Sequence, residues 1–303
     1  MASQVDLITL SVVLGVLETT QREMTVTLEK TARSSVFNLG HDYSNAIFDS
    51  KPEMVIQGQD IPIHLGSLIP AMKCVQAFFG DDIHEGDVIY HNDPAYMGSH
   101  IVDCCMYKPV FYKGEHVFWT VCKGHVTDIG GPVPAGYNPD AKEIYAEGLR
   151  IPPVKLWDKG VPRDDILNML LTNMRARRDQ EGDFNALIGA CRVGERNLIN
   201  MLDRYGVEQV KLCVDELMSM ADRHRPSPIS STMRESMAGP FPRRARRRRS
   251  PSPWRRTRKS RDAGWSSRWP TMAPAFPRRS AAMCWSVSCG WKPAATHPAP
   301  AWA

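Results

Sequence analysis

Two histidines and one aspartate, His100, Asp103 and His125, are the residues of this chain whose types and spacing could bind a metal ion. Two imidazoles and one carboxylate suit a borderline divalent ion such as manganese, iron or zinc, with coordination positions left for water or substrate. Short His/Asp motifs also occur often by chance. From spacing alone, ordinary polar residues at the mouth of a hairpin remain the more frequent explanation.

A predicted β-hairpin must position these residues. Its strands, Ile101–Phe111 and His116–Cys122, are rich in Val, Ile, Phe, Tyr and Trp, and the pair Lys113-Gly114 between them favours a tight turn. Pro109 cannot donate a hydrogen bond to a ladder, so its strand is expected at a sheet edge or at a bulge.

The length of the turn decides which residue faces His125. A two-residue loop places His125 opposite Val102, whereas a three-residue loop with Gly114 in the left-handed conformation places it opposite Asp103. Either register leaves His125 beside Asp103. A regular strand would point His100 and Asp103 to opposite faces, so we expect His100 in the preceding loop or at a bulge.

A glycine-rich loop, Asp128–Pro132, follows the hairpin directly. Its glycines allow the backbone to approach a ligand closely, but it lacks the pattern of a nucleotide-binding P-loop. A solvated surface loop is the alternative to a pocket lining. Asp128, three residues after His125, is the predicted catalytic residue, as a proton acceptor or as an orienter of the ligands. His41 and His64 are candidates for supporting positions only.

The remaining elements complete an α+β fold, with an N-terminal helix, a mixed or antiparallel sheet containing a long hairpin, and then helices. Apolar residues at helical spacing predict a first helix over residues 6–33, with Asp6 as its N-cap. Arg175, Arg177 and Arg178 are expected to compensate the dipole at the end of a later helix. The other predicted strands are Ala46–Phe48, Met54–Ile56 and Val88–Tyr90, and the other predicted helices are Leu68–Phe79, Asp164–Arg178, Phe184–Arg204 and Val207–Ala221.

The net charge of +5 over 303 residues hides two different regions. Residues 231–303 contain sixteen Lys and Arg but two acids, which leaves a net charge of −9 for residues 1–230. We therefore divide the chain into an acidic folded region, 1–225, and a basic tail, 226–303, whose Pro-, Arg- and Trp-rich composition predicts disorder.

The tail allows two interpretations. Arg246–Arg249 and six tryptophans beyond residue 250 could neutralise phosphates and stack bases, but nucleic-acid binding is the less favoured hypothesis. A composition of Arg, Pro, Ala, Ser and Trp almost without acids is also typical of a GC-rich gene translated out of frame. We hypothesise a frameshift near residues 225–232. Translation of the underlying DNA in the other two frames should then reveal a family-like continuation, and its absence would contradict the frameshift.

The eight cysteines show no zinc-type spacing and no CxxC motif, which is typical of free thiols in a reducing compartment. The first apolar run, Leu7–Leu17, is too short to span a bilayer, and no basic leader precedes it. A cytoplasmic protein without membrane association is expected.

Several long stretches of residues 5–225 resemble the hydantoinase B/oxoprolinase family, which includes the corresponding subunits of acetone and acetophenone carboxylases. The matching stretches are EMTVTLEKTARS, DYSNAIFD, IPIHLGS, GDVIYHNDPAYMGSH, GHVTDIGG, EIYAEGLRIPP and GDFNALIGACRVGERNL. They cover about three-quarters of this chain but only the N-terminal part of a typical family member.

The resemblance implies a metal-bearing subunit that acts on a small-molecule substrate together with a hydantoinase A-type partner, which uses ATP and magnesium. Such complexes open cyclic amides of the 5-oxoproline or hydantoin type. In the acetone carboxylase branch the matching subunit binds manganese, and the implied ligands fall on His100, Asp103 and His125. Manganese is thus favoured over zinc or iron.

Three alternatives to a cyclic-amide hydrolase stay open. The first is a subunit of an ATP-dependent ketone carboxylase, which the metal triad does not distinguish because both reactions need a stabilised oxyanion. The second is an inactive, truncated product. The third is a nucleic-acid-binding protein that uses the Arg-rich tail.

Overall fold

Seven antiparallel strands form one sheet in the computed structural model, which describes residues 5–134 and 138–223 of the chain. The order of the strands across the sheet is β2-β1-β5-β4-β3-β6-β7. The predicted α+β class is confirmed, and the sheet is entirely antiparallel. The strands are β1 (Tyr43–Asp49), β2 (Met54–Gln57), β3 (Val88–His91), β4 (Asp103–Tyr112), β5 (Glu115–His125), β6 (Val154–Asp158) and β7 (Val161–Pro162).

Six α-helices accompany the sheet among the described residues. The predicted N-terminal helix is confirmed, and its first turn is capped by the Asp6 carboxylate, which accepts a hydrogen bond from the Thr9 backbone N–H at 3.1 Å. The helices are α1 (Leu7–Thr31), α2 (Ser35–Asn38), α3 (Pro62–Phe79), α4 (Asp164–Thr172), α5 (Arg177–Tyr205) and α6 (Val207–Arg223).

The sheet buries both of its faces, because successive side chains of a strand point to opposite sides. On β4, Cys104 and Met106 belong to the larger apolar core, which also contains buried residues of α1 and α5. Cys105 and Tyr107 face a second core that α3 closes. The hairpin is therefore held rigidly between two helical layers.

The hairpin of β4 and β5 turns over two residues, Lys113 and Gly114, which both have positive φ. A two-residue loop alone would place His125 opposite Val102. The structure instead pairs His125 with Asp103, which is the register predicted for the longer loop. A feature within the strands must therefore shift the pairing.

A β-bulge at Val117 supplies this shift. Phe111 pairs with His116, but Val110 pairs with Phe118, so Val117 is an additional residue on β5. Every pair beyond the bulge, including Asp103 with His125, is displaced by one residue. Because side chains alternate between the faces of a sheet, this displacement decides which side chains meet at the far end of the hairpin.

Pro109 lies on an interior strand, so the edge alternative for its position is wrong. The pairing between β3 and β4 reaches Ile89 opposite Tyr107, two residues before Pro109. The bulge alternative fits better, since the register shifts between Val110 and Phe111. The missing N–H of the proline is thus accommodated beside an irregularity of the ladder.

Helix α3 begins at Pro62, six residues before the predicted start at Leu68. Proline is favoured in the first turn of a helix because its missing N–H would have no partner there. Pro70 lies inside the helix and did not end it. As a consequence, His64 lies in the first turn of α3, not in a preceding loop.

The predicted helix Asp164–Arg178 is wrong at its end, because α4 stops at Thr172 and a new helix, α5, begins at Arg177. Arg177 and Arg178 therefore lie at a helix N-terminus, where a cation does not compensate the dipole. α5 also begins seven residues before its predicted start at Phe184.

Residues 224–303 lie outside the described residues, and so does the predicted basic tail. Within the described ranges, no helix combines the length and the apolar character that crossing a bilayer requires.

The contact of α5 with the sheet and with α1 depends on Gly194. A Cβ atom on Gly194 would lie 2.6 Å from Met24 Sδ and 2.7 Å from Thr120 Cγ2. We predict that Gly194→Ala lowers the free energy of unfolding by about 1–3 kcal/mol, because the core would be overpacked. Gly189→Ala is the matched control on the same helix, since a Cβ there meets no atom within 4 Å. It should be neutral or stabilise by up to about 1 kcal/mol. Equal urea midpoints for the two variants would contradict this interpretation of Gly194.

Candidate metal centre

The three predicted ligands converge at the open end of the hairpin. His100 Nε2 lies 2.9 Å and His125 Nδ1 lies 3.5 Å from Asp103 Oδ1. One ligand atom from each of the three residues lies within 4.8 Å of the other two. His100 occupies the loop that precedes β4, as expected, whereas Asp103 and His125 are cross-strand partners at the ends of β4 and β5.

Asp103 is the central residue of this group and is completely buried. Burial opposes ionisation, but the polar groups that face the carboxylate, led by His100 and His125, hold the pKa of Asp103 well below its usual range. Asp103 is therefore ionised at neutral pH. Its Oδ1 atom is inaccessible to solvent and has no hydrogen bond of good geometry, although two imidazole nitrogens point towards it.

This arrangement fits a divalent cation. A transition-metal ion binds nitrogen and oxygen ligands at about 2.0–2.2 Å, which puts neighbouring ligand atoms about 3–4.5 Å apart. The three ligand atoms span a similar range. A buried carboxylate oxygen without a hydrogen bond is an unsatisfied acceptor, and a cation between it and the two rings would satisfy it. The His100 side chain is 46% exposed, so the group is open to solvent on one side.

Two more residues, His64 and Asp42, lie beside the three predicted ligands. His64 Nε2, on α3, lies 3.4 Å from Asp103 Oδ2 and 3.6 Å from Asp42 Oδ1. Asp42, which precedes β1, also lies 3.9 Å from His125 Nδ1 through its Oδ2 atom. His64 was a supporting candidate and Asp42 was missed. His41 instead contacts the Tyr43 hydroxyl at 3.1 Å.

Lys123 and Ser99 were also missed, although both touch the centre. Lys123 is on β5, two residues before His125, and its side chain is 1% exposed. Its ammonium lies 3.7 Å from Asp103 Oδ2, and the hydroxyl of Ser99 donates to the same oxygen. A lysine within a strand gave no signal in the sequence, because its burial depends on α3 and on the loop of His100.

His91 is a further buried polar residue, opposite Cys105 at the end of β3. Its ring packs 5.5 Å from that of Tyr107, and neither ring nitrogen has a hydrogen bond of good geometry. Burial lowers the pKa of His91 to about 4, so the ring is neutral at physiological pH. A neutral imidazole does not add a second positive charge near Lys123.

The loop after the hairpin is fixed by Asp128. The carboxylate accepts hydrogen bonds from the backbone N–H of Gly130 at 3.0 Å and from the backbone N–H and the guanidinium of Arg175 at 2.6 and 2.8 Å. Arg175 also donates to the carbonyl of Gly131. Arg175 thus binds a carboxylate of this chain, and it connects the loop to the segment between α4 and α5.

A second set of contacts holds the loop that carries His100. Asn92 donates to the carbonyls of Ile101 at 2.6 Å and Leu149 at 2.9 Å. Asp93 receives a bidentate interaction from Arg150, with distances of 2.9–3.1 Å. The sequence alone predicted no role for Asn92, Asp93 and Arg150. The structure shows that they join the segments on either side of the hairpin.

Comparison with known proteins agrees with this fold. The family model of hydantoinase B/oxoprolinase matches residues 6–239. The chain is 80% identical over 220 residues to the caprolactamase subunit beta of Pseudomonas jessenii, a match that covers 73% of this chain and 38% of that subunit. The chain thus spans well under half the length of this relative.

Two solved structures are similar to this one. The crystal structure of ATP-dependent caprolactamase from Pseudomonas jessenii has a TM-score of 0.71 and 79% identity, and the match covers 73% of this chain and 38% of that chain. The nucleotide-free structure of acetone carboxylase has a TM-score of 0.64 and 19% identity, over 69% of this chain and 28% of that chain. The second likeness concerns the fold alone.

Proposed function

We propose that this chain, which belongs to the hydantoinase B/oxoprolinase family, provides the metal-binding region of a subunit of an ATP-dependent cyclic-amide hydrolase. The observation that carries the proposal is the convergence of His100, Asp103 and His125 on one point, in a chain that is 80% identical over 220 residues to a caprolactamase subunit. Caprolactam is a cyclic amide, which supports ring opening as the reaction class.

The metal site that we propose uses His100, Asp103 and His125 as ligands, and manganese is the favoured ion over zinc or iron. Asp42 is within reach as a further carboxylate ligand, since its Oδ2 lies 3.9 Å from His125 Nδ1. A bound divalent ion would act as a Lewis acid that stabilises negative charge on the oxygen of the substrate carbonyl. The half-exposed His100 side would admit the substrate.

Two other residues near the site would hold the proposed ligands in position. His64 faces both carboxylates from α3, so it supports their positions. For Asp128 we propose a positioning role, because Gly130 and Arg175 already occupy its oxygens with hydrogen bonds. It would hold the loop directly after His125 and so limit the movement of that ring.

The proposed partner is an ATP- and magnesium-using subunit of the hydantoinase A type. The relative named as subunit beta supports a second kind of subunit, and the similar crystal structure is described as ATP-dependent. A cytoplasmic location stays a prediction from the cysteine pattern. The boundary near residue 225 and the frameshift stay predictions from the charge and composition of the tail.

A ketone carboxylase subunit is the second candidate, raised by the likeness of the fold to acetone carboxylase. The geometry of the site does not separate the two reactions, because each develops negative charge on a carbonyl oxygen. The 80% identity with a caprolactamase subunit favours the hydrolase.

Removal of one imidazole tests the metal site. We predict that His125→Ala lowers the manganese bound per chain by more than about tenfold after incubation with Mn²⁺ and gel filtration, because a ligand is lost. His84→Ala is the matched control, since His84 pairs with Asp82 outside the centre. Elemental analysis should find equal manganese in wild type and control. Equal content in wild type and His125→Ala would remove His125 from the ligand set.

Product analysis tests the reaction class. We expect the chain, combined with a hydantoinase A-type subunit, to convert caprolactam, 5-oxoproline or hydantoin to the open-chain acid with consumption of ATP. His125→Ala should abolish this turnover. Incorporation of labelled bicarbonate into acetone, without ring opening, would favour the carboxylase instead. If a metal-loaded complex forms neither product, the result would favour the inactive, truncated chain.

A further inference from the structure

A buried lysine, Lys123, lies next to Asp103, one of the proposed metal ligands. The ammonium of Lys123 donates hydrogen bonds to Ser67 Oγ and to Ser99 Oγ, both at 2.6 Å, and lies 3.7 Å from Asp103 Oδ2. Lysine is almost never fully buried unless it is paired. These contacts connect three separate elements, namely β5, α3 and the loop that carries His100.

The chemistry of the ammonium fixes the direction of the hydrogen bond from Ser99. An ammonium group can only donate, so Ser99 Oγ must accept from Lys123. The single hydrogen of the hydroxyl is then left for another acceptor. The structure places it on Asp103 Oδ2, to which Ser99 donates. Lys123 thereby turns the Ser99 hydroxyl into a donor that points at the carboxylate.

This hydrogen bond determines which oxygen of Asp103 remains available. Oδ2 receives Ser99 and also faces His64 at 3.4 Å. Oδ1 faces His100 Nε2 at 2.9 Å and His125 Nδ1 at 3.5 Å, and makes no hydrogen bond of good geometry. The carboxylate cannot rotate without breaking the bond from Ser99, so Oδ1 stays directed at the two imidazoles.

We propose that Ser99, fixed by Lys123, is a positioning residue that orients Asp103 so that its Oδ1 atom faces the cation. The inference rests on the proposed metal function and adds to it a residue that touches neither the ion nor the substrate. Partners that orient a metal ligand contribute to affinity because they hold the ligand in its binding geometry before the ion arrives.

Ser67 provides a matched comparison within the same network. Its hydroxyl accepts from the same ammonium at the same distance, but its hydrogen goes to the carbonyl of His64 at 2.8 Å, within α3. Ser67 therefore accepts from the same ammonium as Ser99 but has no bond to Asp103. A role in packing or in burying Lys123 would make the two serines equivalent, whereas the proposed role distinguishes them.

Lys123 itself is less suitable for substitution. Loss of the ammonium would release Ser99, which should weaken metal binding, but it would also remove a positive charge that repels the cation. Because the two effects oppose each other, the informative variants leave Lys123 in place.

Titration with Co²⁺, whose visible absorption reports its coordination, tests the proposal in the purified metal-free chain. We predict that Ser99→Ala binds Co²⁺ about 10- to 100-fold more weakly than wild type and with an altered spectrum. Ser99→Thr, which keeps the hydroxyl, should restore affinity and spectrum towards wild type. Ser67→Ala should keep both close to wild type.

Thermal unfolding without metal checks that each variant folds. If the Ser99→Ala chain fails to fold, Ser99→Gly is the second variant that lacks the hydroxyl.

The outcomes separate this role from the function on which it rests. Equal affinity and spectrum in wild type and Ser99→Ala would overturn the role of Ser99 but leave the metal site intact. Equal losses in Ser99→Ala and Ser67→Ala would indicate general loosening and would also overturn it. A wild-type chain that binds no Co²⁺ would overturn the proposed metal function, and this role with it.

Discussion

The ionised carboxylate of Asp103, buried at the end of an interior strand, is the constraint to which the rest of this structure responds. An unpaired charge in a protein interior costs several kcal/mol, so it persists only with compensating partners. Here the partners come from α3, from β5 and from the loop before β4, in the form of His64, Lys123, His125, Ser99 and His100. Elements far apart in sequence must therefore pack around the two carboxylate oxygens of Asp103.

The two helical layers make this closure possible. α1 and α5 bury one face of the sheet, and the absence of a side chain at Gly194 lets α5 approach β5 and α1 closely. α3 buries the other face and brings its first turn, with His64, over the end of the hairpin. The apolar cores thus set the distances within the polar centre, because the centre lies at the edge of the second core.

The charges of the centre are consistent with a divalent cation. Asp42 and Asp103 contribute two negative charges, Lys123 contributes one positive charge, and the burial of His91 keeps that neighbouring ring neutral. A doubly charged ion would leave a small positive excess, which suits a site that stabilises an oxyanion. The family match covers residues 6–239, which include all of these residues. The likeness to a caprolactamase subunit extends over 220 residues, and the chain spans 38% of that relative.

The sequence by itself determined the elements that depend on local pattern. These are the N-terminal helix with its Asp6 cap, the hairpin, and the neighbourhood of His100, Asp103 and His125. Only the tertiary structure decided the register, because the bulge at Val117 shifts the pairing without any signal in the turn. It also decided the partners of Asp103, since His64, Ser99 and Lys123 meet it through the packing of α3 on the sheet. Local spacing specifies the turns and faces of single elements, whereas contacts between distant elements follow from how their buried surfaces fit together.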